Sequence, residues 1–288
     1  MASFPRNEFR ALHSAVMFFT RIPLPSLTHY EDADLQRSST YFPLVGWLVG
    51  AVAAAVWWAG LAVWTPAVAS GASLAATLLL TGAFHEDGFA DMCDGFGGGH
   101  TRARILEIMR DSRIGAFGAI GLVMLLGLKW HAVEALAGAG AVEALAVEAG
   151  TGGATVAAAL ALAEGRAAFF VLPPAWLAPA IILAAHAVSR GAAISLLATL
   201  PYARESGKAK PLSTRLRGGR LVVAMLLALA PLALLPVRLW WALAAVVLAR
   251  AWMAWRFRRR IGGYTGDCLG AAQQVCELAF YLAALALL

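Results

Sequence analysis

The sequence predicts an all-α, polytopic transmembrane helix bundle of about seven spans, preceded by an N-terminal amphipathic helix at the membrane interface. Three observations predict it. Of 288 residues, 60% are hydrophobic and 14% charged, where an ordinary soluble domain carries roughly 25% charged residues. Mean hydropathy is +0.71, too apolar for one soluble core of this length. The apolar residues are gathered into long runs, and a helix rising about 1.5 Å per residue crosses the hydrocarbon in about 20 residues. No fixed-period repeat and no soluble second domain interrupts the pattern, so residues 1–288 read as one integral-membrane catalytic domain.

In chain order, Phe9, Leu12, Val16 and Phe19 recur at helical spacing after Arg6, which makes the interfacial helix. No A-x-A site follows, so no removable signal peptide is expected. "RIPLP", Arg21–Pro25, reads as a turn leading to the first span. Spans are expected at 42–64, 66–84, 114–134, 175–200, 221–235, 239–257 and 267–288. The 221–235 run is short, and Pro231 and Pro236 blur its outer end. The Gly/Ala-rich 137–165, with Glu143, Glu148 and Glu164, is expected as an outer loop holding one helical turn or more.

Charge orients these spans. Segments 1–41, 85–113, 201–220 and 256–266 carry 18 of the 23 Lys and Arg residues, while only Arg166 and Arg238 fall on the opposite side. The positive-inside bias then places the N-terminus in, the C-terminus out and the polar segments in the cytoplasm. A site facing the cytoplasm is expected. The same bias accounts for the net charge of +6, so the lipid bilayer is the expected partner and nucleic acid is not. Cys93, Cys268 and Cys276 have neither CxxC spacing nor His partners, which suggests no disulfide framework and no thiolate metal site.

The chemistry concentrates in "HEDGFADMCDG". Asp87, Asp91 and Asp94 are spaced i, i+4, i+7, so on a helix they share one face. Like charges so placed repel, and a divalent cation reverses the sign. Carboxylate oxygens suit Mg²⁺, with Mn²⁺ as a substitute, and Mg²⁺ is commonly held by a few carboxylates plus substrate phosphates. The bland alternative is a solvated acidic cap. His85 and Glu86 point elsewhere on the wheel, His85 as a ligand or an interfacial hydrogen-bonder. Arg110 and Arg113, flanking "DS", either anchor a helix at the headgroups or bind phosphate.

Ser189 and Arg190 of "SRG" lie inside a span, where an arginine is costly and a functional candidate by default. Lys129 is also within a span, with snorkelling as its competing role. "PYARESGKAKPL" adds Arg204, Lys208 and Lys210. Finally "GGYTGDCLGA" is a glycine-rich entry to the last helix. Gly263 and Gly266 surround Thr265, and Thr265 and Asp267 sit where a helix N-terminus receives a phosphate or holds a metal ligand. Acids for a metal, arginines for phosphates and this turn on one side of the membrane suggest phosphoryl or nucleotidyl-alcohol transfer on a membrane-associated substrate.

These segments, with "YFPLVGWLVG", "EIMRDSRIGAFG" and "YARESG", occur in the order found in the adenosylcobinamide-GDP ribazoletransferases, also called cobalamin 5′-phosphate synthases. The chain resembles that family from about Arg21 to Glu277. The resemblance implies a polytopic inner-membrane, Mg²⁺-dependent enzyme that joins a corrinoid-GDP substrate to α-ribazole or its 5′-phosphate and releases GMP. It also leaves room for a homo-oligomer or a complex with other cobalamin-assembly enzymes. Asp87, Asp91, Asp94 and Asp267 would hold the metal. Arg110, Arg113, Ser189, Arg190, Arg204, Gly263, Thr265 and Gly266 would bind substrate. Asp91 and Asp94 would be catalytic, with Asp94 taking the proton of the attacking ribose hydroxyl. Glu86 stands where the family more often has an apolar residue and is not carried over. The rivals are a CDP-alcohol phosphotransferase, whose D-G-x-x-A-R element is missing because Asp91 stands near the position of its arginine, and a membrane cation transporter.

Overall fold

A computed structural model describes residues 3–25, 32–148, 176–204, 216 and 218–288. Its elements are α1 (Ser3–Phe19), α2 (Asp32–Ser38), α3 (Phe42–Gly60), α4 (Pro66–Thr81), α5 (Phe84–Gly98), α6 (Arg102–Ile108), α7 (Ala116–Glu148), α8 (Leu177–Thr199), α9 (Gly219–Leu229), α10 (Ala242–Ile261) and α11 (Gly266–Leu287). Among the described residues there is no β-strand, only an isolated bridge between Tyr202 and Tyr264.

Five helical segments are long and apolar enough to cross a membrane: Ala33–Gly60, Ala116–Gly138, Leu177–Thr199, Val237–Ile261 and Gly266–Leu287. The chain is a multi-pass membrane protein. Its outward surface is apolar, with Leu79, Val123, Leu248 and Trp241 exposed, as a lipid-facing bundle requires. The expected 221–235 span is a shorter apolar helix, Gly219–Leu234, whose last turn tightens to 3₁₀ at Pro231.

Two expectations are corrected. The run 66–84 is not a straight span: α4 stops at Thr81, and α5 leaves it at 90°. Gly82 caps α4 at φ 65°, and Ala83 follows at φ 54°. Two successive left-handed residues end the helix where the hydrophobic pattern alone continues. Residues 85–98 form the helix that the spacing of Asp87, Asp91 and Asp94 assumes, and it is packed into the bundle. The Gly/Ala-rich stretch likewise begins as helix, since α7 runs on to Glu148. Residues 149–165 of that stretch, and Lys208 and Lys210, lie outside the described residues.

The most intimate packing joins α3 to α8. A Cβ on Gly46 would sit 2.5 Å from the His186 carbonyl oxygen, and one on Gly50 would sit 3.0 Å from Leu183 Cα. The G-x-x-x-G spacing of "GWLVG" thus brings two backbones together where lipid provides no hydrophobic drive. Helix α8 is central and buried along nearly its whole length. Helix α1 is pinned across one end of the bundle by polar ties. Arg10 pairs with Asp34 at 2.6 Å, Glu8 accepts from Tyr41 Oη at 2.8 Å, and Arg220 Nη2 meets Glu8 at 2.6 Å.

Candidate active site

Helices α1, α3, α5, α8 and α11 meet around a cavity of about 260 Å³. Its polar wall comes from four segments far apart in sequence: Asp87 on α5, Arg190 on α8, Tyr202 and Arg204 in the loop after α8, and Asp267 with Gln273 on α11. Its opposite lining is aromatic, from Phe18, Phe19, Phe42 and Phe84. Two local features let α5 and α11 bring their carboxylates to one place. A Cβ on Gly88 would lie 2.9 Å from Asp267 Cα, and one on Gly270 would lie 3.0 Å from the His85 carbonyl oxygen. Only glycines permit that approach.

Asp267 opens α11. Thr265 is its N-cap, accepting from Cys268 N at 3.3 Å and donating to Asp267 Oδ2 at 3.2 Å. Arg204 Nη2 sits 2.9 Å from Asp267 Oδ2 and donates to the Met109 carbonyl at 3.2 Å. The loop carrying Arg204 is held against the turn before α11: Tyr264 N donates to Pro201 O at 2.9 Å, and Ala203 N to Tyr264 O at 2.8 Å. Gly263 makes that register possible, because a Cβ there would collide with the Pro201 carbonyl. Burial raises the Tyr202 phenol above its ordinary value, so its hydroxyl stays a donor at neutral pH.

Of the residues singled out from sequence, Asp87, Arg190, Arg204, Gly266 and Asp267 line the cavity. Asp91 does not, but lies near enough to Asp267 and Asp87 for both charges to act on it. Asp94 is turned to a different task. Its Oδ2 accepts from Gly115 N at 2.7 Å and its Oδ1 from Gly118 N at 2.8 Å, so it caps the start of α7. A helical wheel puts Asp94 beside Asp87; the packing of α7 against α5 decides where its carboxylate is used. Arg110 and Arg113 are exposed and do not line the cavity, although the charge of Arg110 reaches Tyr202 in its wall. Arg113 Nη2 is 2.6 Å from Asp111 Oδ2, and these hydrogen bonds hold the Asp111 carboxyl down at about 2. Ser189 and Thr265 are fully buried supports rather than cavity wall.

Sequence reasoning missed what stands behind Arg190. The guanidinium is 4% exposed; its Nη1 donates to the His186 carbonyl at 2.9 Å and its Nε is buried without a partner. Behind it runs a buried polar chain. Glu277 meets Lys129 Nζ at 2.6 Å and His186 Nδ1 at 3.1 Å. Gln273 donates to Glu277 and, at 3.1 Å, to Ser189 Oγ. Lys129 also donates to Gln274 Oε1 at 2.9 Å, and Gln274 to Glu86 Oε1 at 2.8 Å. Lys129 therefore does not snorkel: it is 3% exposed and paired. The readable signal was polar spacing on apolar helices, Gln273, Gln274 and Glu277 on α11 and His186 with Arg190 at i, i+4 on α8.

The donor set suits a hard cation only in part. Among the described residues, no group of three or more His, Cys, Asp or Glu side chains is placed to hold a metal ion alone. Two cavity carboxylates with a third in electrostatic reach match the partial set that Mg²⁺ uses when substrate phosphates complete its shell.

Fold and cavity together define a class: a multi-pass membrane protein whose buried arginine and two carboxylates face one partly open, partly aromatic site. The chain belongs to the cobalamin-5-phosphate synthase family, whose model matches residues 11–285. It is 44% identical to an adenosylcobinamide-GDP ribazoletransferase of Ralstonia pickettii, over 95% of this chain and 94% of that protein. One from Vibrio cholerae is 37% identical over 100% of this chain and 98% of the relative. No solved structure matches the chain.

Proposed function

We propose that the chain is a membrane-embedded adenosylcobinamide-GDP ribazoletransferase acting late in cobalamin biosynthesis, with its cavity as the active site. The observation that carries the placement is the convergence of Asp87, Asp267, Arg190 and Arg204 on one cavity from separate segments. The rivals, a phospholipid phosphotransferase and a cation transporter, have no support in the names of the relatives.

In this reading Arg190 receives a phosphate of the corrinoid-GDP diphosphate. Its Nη1 is fixed by the His186 carbonyl, while the guanidinium faces the cavity. Arg204 orients Asp267 and adds a second cation. The N-terminus of α11, at Gly266, presents backbone N–H groups to the same anion. A ribose hydroxyl of α-ribazole, or of its 5′-phosphate, attacks the cobinamide-side phosphorus. The new P–O bond forms as the bond to GMP breaks, GMP leaves with the electron pair, and the hydroxyl proton passes to a cavity carboxylate. Asp87 is better placed for that proton than Asp94, whose oxygens already accept two backbone N–H groups. Asp87 and Asp267, with Asp91 in reach, would hold Mg²⁺, which when bound neutralises charge on the diphosphate and the leaving GMP. The site faces the cytoplasm of a bacterial inner membrane, where the basic segments lie by the positive-inside bias.

The test is GMP release by Arg190→Lys. Lysine keeps the charge and loses the planar fork, and a hydrogen bond to a charged group is worth roughly 1.5–3 kcal/mol. Catalytic efficiency should fall on the order of 10–100-fold in folded protein. Parental turnover with unchanged KM would remove Arg190 from the substrate site.

A further inference from the structure

The aromatic side of the cavity has no part in phosphate chemistry, and it is built as a continuous cluster of rings. His85 stacks on Phe19 with centroids 5.2 Å apart and planes 10° apart. Phe84 meets His85 edge-on at 5.6 Å and Phe18 at 5.4 Å, and Phe42 meets Phe19 at 4.3 Å. Within this apolar lining His85 is 3% exposed, and neither ring nitrogen has a hydrogen-bond partner among the described residues; Nδ1 is sealed off in the packing, which leaves Nε2 as the one a ligand can reach. Buried polar atoms are nearly always satisfied, so an unpartnered ring nitrogen in the wall of a functional cavity points to a group supplied by a ligand.

We propose that this ring cluster is the subsite for the base of the acceptor nucleoside, and that the His85 ring hydrogen-bonds its one free ring nitrogen. The proposal rests on the transferase reading and adds which end of which substrate enters the cavity. That reaction brings together three bulky groups. A corrin macrocycle with its amide arms is too large to sit wholly inside a partly open cavity of about 260 Å³. Guanine is small enough, but its edges carry three acceptors and three N–H donors, and the rings offer a single reachable polar atom, His85 Nε2. A benzimidazole riboside is flat and apolar, with one ring nitrogen spent on the sugar and the other an in-plane acceptor. Stacked faces and one ring N–H are the complement of that shape and polarity. Because Asp87 and Gly88 follow His85 within one turn of α5, a base held here keeps its ribose next to the carboxylates.

The experiment uses the full-length protein purified in detergent, with α-ribazole and adenosylcobinamide-GDP varied separately while GMP release is followed. His85→Phe keeps the ring and its stacking but removes the nitrogens. The expected result is a rise of about tenfold in KM for α-ribazole, the equivalent of one lost hydrogen bond, with KM for adenosylcobinamide-GDP unchanged. Calorimetric titration with α-ribazole alone should show the same weakening without any turnover. Phe84→Leu gives a second readout, and because Phe84 is 37% exposed the fold does not depend on its ring. It should raise the same KM and keep the melting temperature. A rise confined to adenosylcobinamide-GDP would overturn the proposal by placing guanine in the cavity. Parental constants for both variants would show that the rings only pack. If the parental protein itself releases no GMP, the transferase reading has failed and the subsite falls with it, an outcome distinct from the other two.

Discussion

Asp91 shows how a single residue's role is set by more than its spacing. It shares a helical face with Asp87, and it also feels Asp267, which comes from the other end of the chain. Replacing it with asparagine keeps the size and one oxygen and removes the charge. Asp91→Asn should need at least ~10-fold more Mg²⁺ for half-maximal GMP release, since even indirect partners of a metal cost that much. Without metal it should melt slightly higher, because like-charge repulsion at i, i+4 costs roughly 0.2–0.5 kcal/mol per pair. Parental activity at low Mg²⁺ would show Asp91 to be a solvated acid. Asp94→Ala predicts a different outcome: losing a cap that accepts two N–H groups lowers stability by about 0.5–2 kcal/mol, and melting temperature is the readout that separates the two acids.

At the scale of elements, two joints carry the site. The first is the 90° corner between α4 and α5, which swings His85, Asp87 and Asp91 into the bundle. Ala83 is the one non-glycine with positive φ among the described residues. A left-handed L-residue costs roughly 1–2 kcal/mol, so Ala83→Gly should raise the melting temperature and Ala83→Val should lower it. A fall with glycine would mean that the methyl packs more usefully than its conformation costs. The second joint is the buried charge chain that ties α7, α8 and α11 through Lys129, His186 and Glu277. Lys129→Met leaves Glu277 short of its cation inside the membrane, at a cost of roughly 3–5 kcal/mol. Lys129→Met/Glu277→Gln should recover part of that loss, and a double-mutant cycle on melting temperatures measures how much. A loss in the double variant equal to the sum of the losses of Lys129→Met and Glu277→Gln would show that the two charges are not coupled.

For the whole molecule, orientation is the testable quantity. His100 is exposed in the turn between α5 and α6, at the end of the helix that carries Asp87. The native cysteines are buried or half-buried. A membrane-impermeant maleimide should therefore label His100→Cys in inside-out vesicles and leave it unlabelled in intact cells. Labelling in intact cells would place the cavity on the outer side and overturn the charge-based orientation.

The helical membrane class, the N-terminal interfacial helix and most of the spans were legible in the sequence. They depend on local quantities, namely run length, hydrophobic period and where Lys and Arg cluster, each of which the chain states directly. Arg190 and Asp267 were legible for the same reason: one is a charge in an apolar run, the other opens a helix after a glycine-rich turn. Tertiary structure decided the rest. The 66–84 run breaks because Gly82 and Ala83 turn left-handed, which hydropathy cannot see. Asp94 stays on the acidic face within electrostatic reach of Asp91, but both its oxygens accept N–H groups because the N-terminus of α7 arrives beside it. Lys129 pairs instead of snorkelling because Glu277, 148 positions on, is packed against it. Contacts between distant segments assign each polar group its partner, and no local pattern contains them.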